Sequence, residues 1–462
     1  MMHKVVSPYD LKLIQEIQMD NADKVALSLQ KAHQLYQQNP HGLPAWQRIE
    51  ILEKLAHLLK TNADEFIHTA VIEGGKPYVD TKVELLRAIN GVKLAAQSIN
   101  QLHGEEIPMG LTAASTSRMA FTTREPIGVV VAISAFNHPI NLMVHQVVTA
   151  VAAGCPVIVK PALTTPLSCI KIVEFLKQAG LPETWCQVII CSDENAEKLA
   201  TDPRVSYLTF IGSAKVGWYL RSKLAHGTRC AMEHGGVAPV IIDENVEVQK
   251  IIPSLAKGGF YHAGQVCVSV QKIYIHRSVL TGFTDQLVKH TQSIFVGNPI
   301  DEKTAVGPLI KPAEVDRVEV WVNEAINEGA QLLCGGKRIS NTCFEPTILL
   351  NPDTNSKVST HEVFGPVVCL YEYENADEVI SEINSMSYAF QAAIFTNNIH
   401  FALSKAKKIN ASAIMINDHT AFRVDWMPFG GRKHSGLGVG GIQHTMKEMT
   451  NEKLIVFKSD DL

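Results

Sequence analysis

The sequence lacks the patterns that mark disulfide scaffolds, zinc sites, membrane spans and nucleic-acid binders. Its nine cysteines are an odd number, scattered without a Cys-x-x-Cys pair. Neither a disulfide framework nor a zinc site is therefore expected. No His-Glu-x-x-His or other metal-ligand spacing is present, so no metal is assigned. The longest apolar run, Val147 to Val159, is interrupted by Thr149, Gly154 and Pro156 and is too short to cross a bilayer. The start, Met1-Met2-His3-Lys4-Val5-Val6-Ser7-Pro8, has no apolar segment resembling a signal peptide. A reducing, cytoplasmic setting is the expectation. With 42 basic against 46 acidic residues the net charge is -4, which gives no reason to expect a nucleic-acid or anionic-membrane partner. The absence of a Gly-x-Ser-x-Gly elbow argues against an α/β-hydrolase.

What is present is an ordinary globular composition, 46% hydrophobic and 19% charged, over 462 residues. That length exceeds what one hydrophobic core usually supports, so two or three domains are expected. The first hundred residues read as mostly helical, as in Trp46–Ala56 with its apolar residues at helical spacing. A β-prone stretch, Arg118–Arg124, precedes Pro126 and Gly128. Short apolar runs then alternate with helical segments: Val129–Ile133, Val157–Val159, Val188–Cys191, Tyr207–Ile211 and Val240–Ile242. The helical segments between them include Asn141–Ala153, Leu167–Ala179 and Ala214–Leu224. A second series follows at Lys272–His276, Val367–Tyr373, Ala392–Thr396 and Ala413–Ile416. Buried strands alternating with helices imply parallel sheets covered on both faces. The fold class is α/β with two parallel-sheet domains, their boundary near Gly235-Gly236. The tail Lys453–Lys458 reads as an isolated strand that needs a sheet to join, one that another subunit could supply.

Two residues are candidates for the chemistry. Cys267, in Gly264-Gln265-Val266-Cys267-Val268-Ser269, follows an apparent helix, Ile251–Ala263, close to the domain junction. Most buried free cysteines are small hydrophobes, and the other eight, including Cys155, Cys169 and Cys369, fit that description. Glu233 opens Glu233-His234-Gly235-Gly236, where a carboxylate either caps a turn or serves as a general base. A thiol attacks carbonyl carbons, and a carboxylate activates the water that releases an acyl group.

Further candidates stand at the carboxyl ends of the strands, where parallel sheets bind ligands. Asn137 follows Val129–Ile133 and has an amide able to donate to an oxyanion. Lys160-Pro161-Ala162 follows Val157–Val159; its lysine could reach ribose hydroxyls or a phosphate. Gly212 and Ser213 open a helix whose unpaired N–H groups and dipole suit a pyrophosphate. Gly436-Leu437-Gly438-Val439-Gly440-Gly441 formally matches Gly-x-Gly-x-x-Gly, but no strand precedes it, so it is rejected as a dinucleotide fingerprint.

Taken together these motifs resemble the aldehyde dehydrogenase superfamily. They run in that family's order: Arg124-Glu125-Pro126-Ile127-Gly128, Asn137, Lys160-Pro161-Ala162, Phe210-Ile211-Gly212-Ser213, Glu233-His234-Gly235-Gly236, Gly264-Gln265-Val266-Cys267, Glu362-Val363-Phe364-Gly365-Pro366 and Pro428–Gly436. The resemblance implies that Cys267 is the nucleophile, Glu233 the general base, and Asn137 with the Cys267 N–H the oxyanion hole. It implies that Lys160 holds the adenosine ribose, Gly212 and Ser213 the pyrophosphate, Glu362 the nicotinamide ribose, and Phe364 the ring. It also implies a cofactor domain (1–107 and 127–236), a catalytic domain (237–439) and an oligomerisation segment (108–126 and 440–462). The partners expected from it are a small-molecule aldehyde and further copies in a homodimer or homotetramer.

Departures from the family pattern refine the expectation. Phe136 and His138 flank Asn137 where the family often has Trp and Phe. A histidine in the substrate tunnel suggests a small polar or anionic aldehyde rather than a long aliphatic one. His419 and Arg423 are further candidates for an anion site. Leu163 stands where many NAD-preferring members carry glutamate, so the cofactor is NAD or NADP, with the preference open. The competing readings are a CoA-acylating semialdehyde dehydrogenase, which generally lacks the glutamate seen here as Glu233, and a non-enzymatic binding or structural protein that retains the fold.

Overall fold

The computed structural model describes residues 1–462. It contains two large sheets, each sandwiched between helices, and a small antiparallel sheet beside them. The first large sheet has six strands in the order Gly436–Leu437, Arg229–Glu233, Val205–Ile211, Val129–Ile133, Val157–Lys160, Cys186–Val188. Only the short Gly436–Leu437 strand runs antiparallel. The central strand shows why its sequence is uniformly apolar. Val130 and Ala132 enter the large core on one face, whereas Val129, Val131 and Ile133 enter a separate core on the other.

The second sheet has seven strands in the order Gln331–Cys334, Thr347–Leu350, Val367–Tyr373, Lys272–His276, Pro239–Ile242, Gln391–Phe395, Ala413–Ile416. All pair in parallel except the edge strand Gln331–Cys334. Its core is a cluster of 43 buried residues distinct from those of the first sheet. The chain passes from one sheet to the other through His234–Ala238, immediately after Glu233. No helix is long and apolar enough to cross a membrane.

Several expectations need correction. The C-terminal strand, Thr450–Lys458, joins a sheet of its own chain, pairing antiparallel with Arg118–Pro126 along its whole length. The amino terminus begins with a hairpin, Met2–Val6 and Leu13–Gln18, before its helices. The strand placed at Val188–Cys191 is instead Cys186–Val188. The helix read as ending at Ala263 ends at Phe260, because His262 and Ala263 adopt left-handed conformations (φ 48° and 54°). The glycine-rich segment from Gly436 is a short strand laid against Glu233, with Gly436 opposite Glu233 and Leu437 opposite Met232.

Candidate active site

The carboxyl ends of the Val129–Ile133, Val157–Lys160, Val205–Ile211 and Arg229–Glu233 strands open into one cavity of about 880 Å³. The loop of Cys267, the Glu362–Phe364 loop and Arg423 close its other side. Cys267, Glu233, Asn137, Lys160, Gly212, Ser213, Glu362, Phe364, His138 and Arg423 therefore share one space. His419 does not. Its Nδ1 accepts from the Ala421 N–H at 3.1 Å, and its Cβ lies against Gly258, so it is withdrawn from the anion site.

The Cys267 loop is pinned from several directions. Gln265 donates to the carbonyls of His262 and Pro308 and accepts from the Ile310 N–H. Thr420 Oγ1 donates to the Val268 carbonyl at 2.7 Å. Gly264 must be glycine. Its φ is +72°, and a Cβ would stand 2.1 Å from the Gly365 carbonyl oxygen. This close approach seats the Cys267 loop on the Glu362–Gly365 loop.

Asn137 is buried and donates one amide hydrogen to the Gln265 carbonyl at 2.9 Å. An amide carries two, so one N–H is left for a ligand. Cys267 Sγ lies 3.8 Å from Glu233 Oε1. Burial pushes the thiol well above its ordinary range, and the Glu233 charge adds to this while Arg423 opposes it. Burial also raises Glu233, again against Arg423.

The residues expected to face a dinucleotide are tied to the same framework. The Gly212 N–H donates to the Glu233 carbonyl at 3.1 Å, and His234 Nδ1 donates to the Gly212 carbonyl at 2.8 Å. His234 is fully buried against Gly217, a contact that sequence reading missed. The helix Ala214–Lys223 begins at Ser213 without a side-chain cap, which leaves its first N–H groups available. Glu362 Oε1 is buried without a hydrogen-bond partner. Burial pushes the Glu362 carboxyl up to about 8, with Arg317 and the Gly236 N–H opposing. A Cβ on Gly235 would stand 1.5 Å from that oxygen, so glycine there makes room for the carboxylate. Phe364 packs edge-on against Phe136, ring centroids 5.9 Å apart.

The sequence pattern of the aldehyde dehydrogenase family matches residues 1–455. The chain belongs to the aldehyde dehydrogenase family. It is similar to 3-sulfolactaldehyde dehydrogenase of Priestia aryabhattai, 40% identical over 412 residues, which are 89% of this chain and 86% of that protein. In structure it resembles aldehyde dehydrogenase 21 from Physcomitrella patens, solved with the reaction product succinate. The TM-score is 0.96 at 32% identity, over 99% of this chain and 95% of the other. It also resembles glyceraldehyde-3-phosphate dehydrogenase from Methanocaldococcus jannaschii DSM 2661 complexed with NADP. There the TM-score is 0.94 at 35% identity, over 99% of both chains. The chain is an NAD(P)-dependent dehydrogenase of this family. The residues present fit such a cofactor: Glu362 offers a buried acceptor without a partner, Gly235 is bare, and the helix from Ser213 is uncapped.

Beyond the anticipated residues, the cavity wall holds a hydrogen-bonded cluster around Asp425 that sequence reading missed. Asp425 accepts from Arg87 Nη2 at 2.8 Å, Asn141 Nδ2 at 3.0 Å and His145 Nε2 at 2.8 Å. Burial and neighbouring arginine push His145 down to about 4, so it is neutral and presents Nδ1 to Arg423 Nη2 at 3.4 Å. Arg423 lies over the Phe429 ring at 3.5 Å and makes no salt bridge; its Nε is buried without a partner. His138 Nε2 stands 3.1 Å from the Tyr261 hydroxyl.

Proposed function

We propose that this enzyme oxidises a small aldehyde bearing an anionic group to the carboxylic acid, through a thioester on Cys267. The contact between Cys267 Sγ and Glu233 Oε1 carries this reading. The thiol proton passes to the Glu233 carboxylate as Sγ adds to the aldehyde carbon. The second Asn137 N–H and the Cys267 backbone N–H meet the oxyanion of the thiohemiacetal. Lys160, Gly212, Ser213, Glu362 and Phe364 would hold the dinucleotide, which would supply the acceptor for the hydride leaving this carbon. Glu233, its proton returned to solvent, then deprotonates the water that hydrolyses the thioester. A carboxylate so close to the thiol favours water as acyl acceptor over coenzyme A.

The anionic group is argued from charge. Arg87 is neutralised by Asp425, whereas Arg423 has no acidic partner in a salt bridge. With His138 and Tyr261 nearby in the same cavity, it is the cation left for a sulfonate or carboxylate. Two of the similar proteins point the same way by name, one a 3-sulfolactaldehyde dehydrogenase and one solved with succinate. The test is a panel of anionic and neutral aldehydes of equal size, with NAD and NADP, with and without coenzyme A. Anionic aldehydes should turn over without coenzyme A, and Cys267→Ser should be inactive. An absolute coenzyme A requirement, or full activity of Cys267→Ser, would sink the proposal.

We also read the protein as a cytoplasmic homodimer or homotetramer. All nine cysteines are free, as suits a reducing compartment. The edge strand Thr450–Lys458 exposes Leu454, Val456 and Phe457, as suits a subunit contact.

A further inference from the structure

We infer that Asp193 biases this enzyme toward NAD over NADP, replacing from another element the carboxylate missing at Leu163. In doubly wound sheets the pyrophosphate sits at a helix N-terminus and the adenosine ribose meets the end of a neighbouring strand. Here the helix is Ala214–Lys223, and the neighbouring end is that of Val157–Lys160. Lys160 is more than nine-tenths buried there, and its Nζ lies 3.5 Å from Asp193 Oδ1. Asp193 sits in the first turn of the helix Asp193–Thr201, and its carboxylate is exposed into the same cavity. An acceptor this close to Lys160 is placed to take a 2′-hydroxyl while the ammonium donates to its neighbour.

A 2′-phosphate would meet the opposite conditions. It carries about -1.5 to -2 charges at neutral pH. Three lysines near this end of the cavity already have carboxylates: Lys160 has Asp193, Lys198 has Glu194, and Lys223 has Glu197. The helix N-terminus at Ser192, otherwise attractive to an anion, is met by the Ser192 hydroxyl and by Asp193 and Glu194 in its first turn. Leu163 removes one carboxylate from this region, yet Asp193, Glu194 and Glu197 all line the cavity. The missing charge is supplied from the helix Asp193–Thr201 instead of from the turn that holds Leu163.

The test is direct titration of NAD and NADP by calorimetry with the full-length protein and with Asp193→Asn, alongside melting temperatures. Wild type should bind NAD at least about tenfold more tightly than NADP. Asp193→Asn should reduce that ratio at least about fivefold, mainly by tightening NADP, with an unchanged melting temperature as expected for an exposed residue. Equal or tighter binding of NADP by wild type would overturn the inference, as would an unaltered ratio in the variant. This inference rests on the dinucleotide cavity. Failure of both dinucleotides to bind would count against the cavity itself, whereas NADP preference would remove only the role of Asp193.

Discussion

Cys267 and Glu233 come from different sheets, yet Sγ and Oε1 meet at 3.8 Å. Glu233 ends a strand of the six-stranded sheet, and Cys267 lies on the loop that leads into Lys272–His276 of the other. The junction between the sheets is what makes one site of them, and each side chain alters the ionisation of the other.

Replacing Glu233 gives two readouts with separate origins. Glu233→Gln should lower steady-state turnover about 10²-fold or more, as expected for loss of a general base. The first turnover should slow as well, because the thiol then has no carboxylate to take its proton. The Glu233 charge also raises the Cys267 thiol, so the neutral variant should be alkylated by iodoacetamide with an inflection at lower pH than wild type. Unchanged turnover together with an unchanged alkylation profile would separate the two residues functionally.

Arg423→Gln should shift the same profile the other way. Arg423 lowers both Cys267 and Glu233, so its removal leaves the thiol harder to ionise. A charge-assisted hydrogen bond is worth about 1.5–3 kcal/mol. KM for an anionic aldehyde should therefore rise roughly ten- to a hundredfold, while a neutral aldehyde of the same size should show little change in KM. Equal effects on both aldehydes would place the anion elsewhere.

Much of this architecture was legible in the sequence where strands are buried on both faces. Lys272–His276 and Val367–Tyr373 appear with their expected limits, because each holds an apolar stretch rich in β-branched or aromatic residues, Ile273–Ile275 and Val367–Tyr371. Gln331–Cys334 and Thr347–Leu350 were not anticipated. The first is a partly exposed edge strand, Gln-Leu-Leu-Cys, without the apolar run of a buried strand. Pairing partners were also hidden. Thr450–Lys458 reads as a strand, but nothing local names Arg118–Pro126 as its neighbour. The same limit applied to the substrate side. Arg87 and Asp425 are 338 residues apart and join only through the fold, and His419 was drawn away by the turn it caps.

Glu362 should make stability depend on pH in a way that dinucleotide reverses. Its carboxyl ionises near 4.5 by default and about 8 in the folded protein. Between these values the folded state keeps a proton that the unfolded state has released. The stabilisation is therefore complete below 4.5 and is lost as pH rises through about 8. Glu362→Gln should melt at least about 2 °C above wild type at the alkaline end of this window and converge with it at the acid end. Ribose hydroxyls donating to the ionised carboxylate would favour the charged form, so dinucleotide affinity should increase across the window in wild type and stay flat in the variant. Parallel melting curves at every pH would remove this role from Glu362.

The C-terminal strand offers a test of assembly that leaves the site alone. Pairing with Arg118–Pro126 satisfies one edge of Thr450–Lys458 and leaves the other open. Leu454, Val456 and Phe457 are each about half exposed on it, and Phe457 stacks on Phe121 with ring centroids 6.0 Å apart. An open edge bearing consecutive large apolar residues invites pairing with a second copy. Substituting Leu454→Asp and Val456→Asp together places charges on this exposed surface without touching the cavity. By light scattering after size-exclusion chromatography the wild type should be a dimer or tetramer and the double variant smaller. Its far-UV circular dichroism and Cys267 alkylation rate should be retained. A wild-type monomer, or a double variant of unchanged mass, would show that this edge does not hold the subunits together.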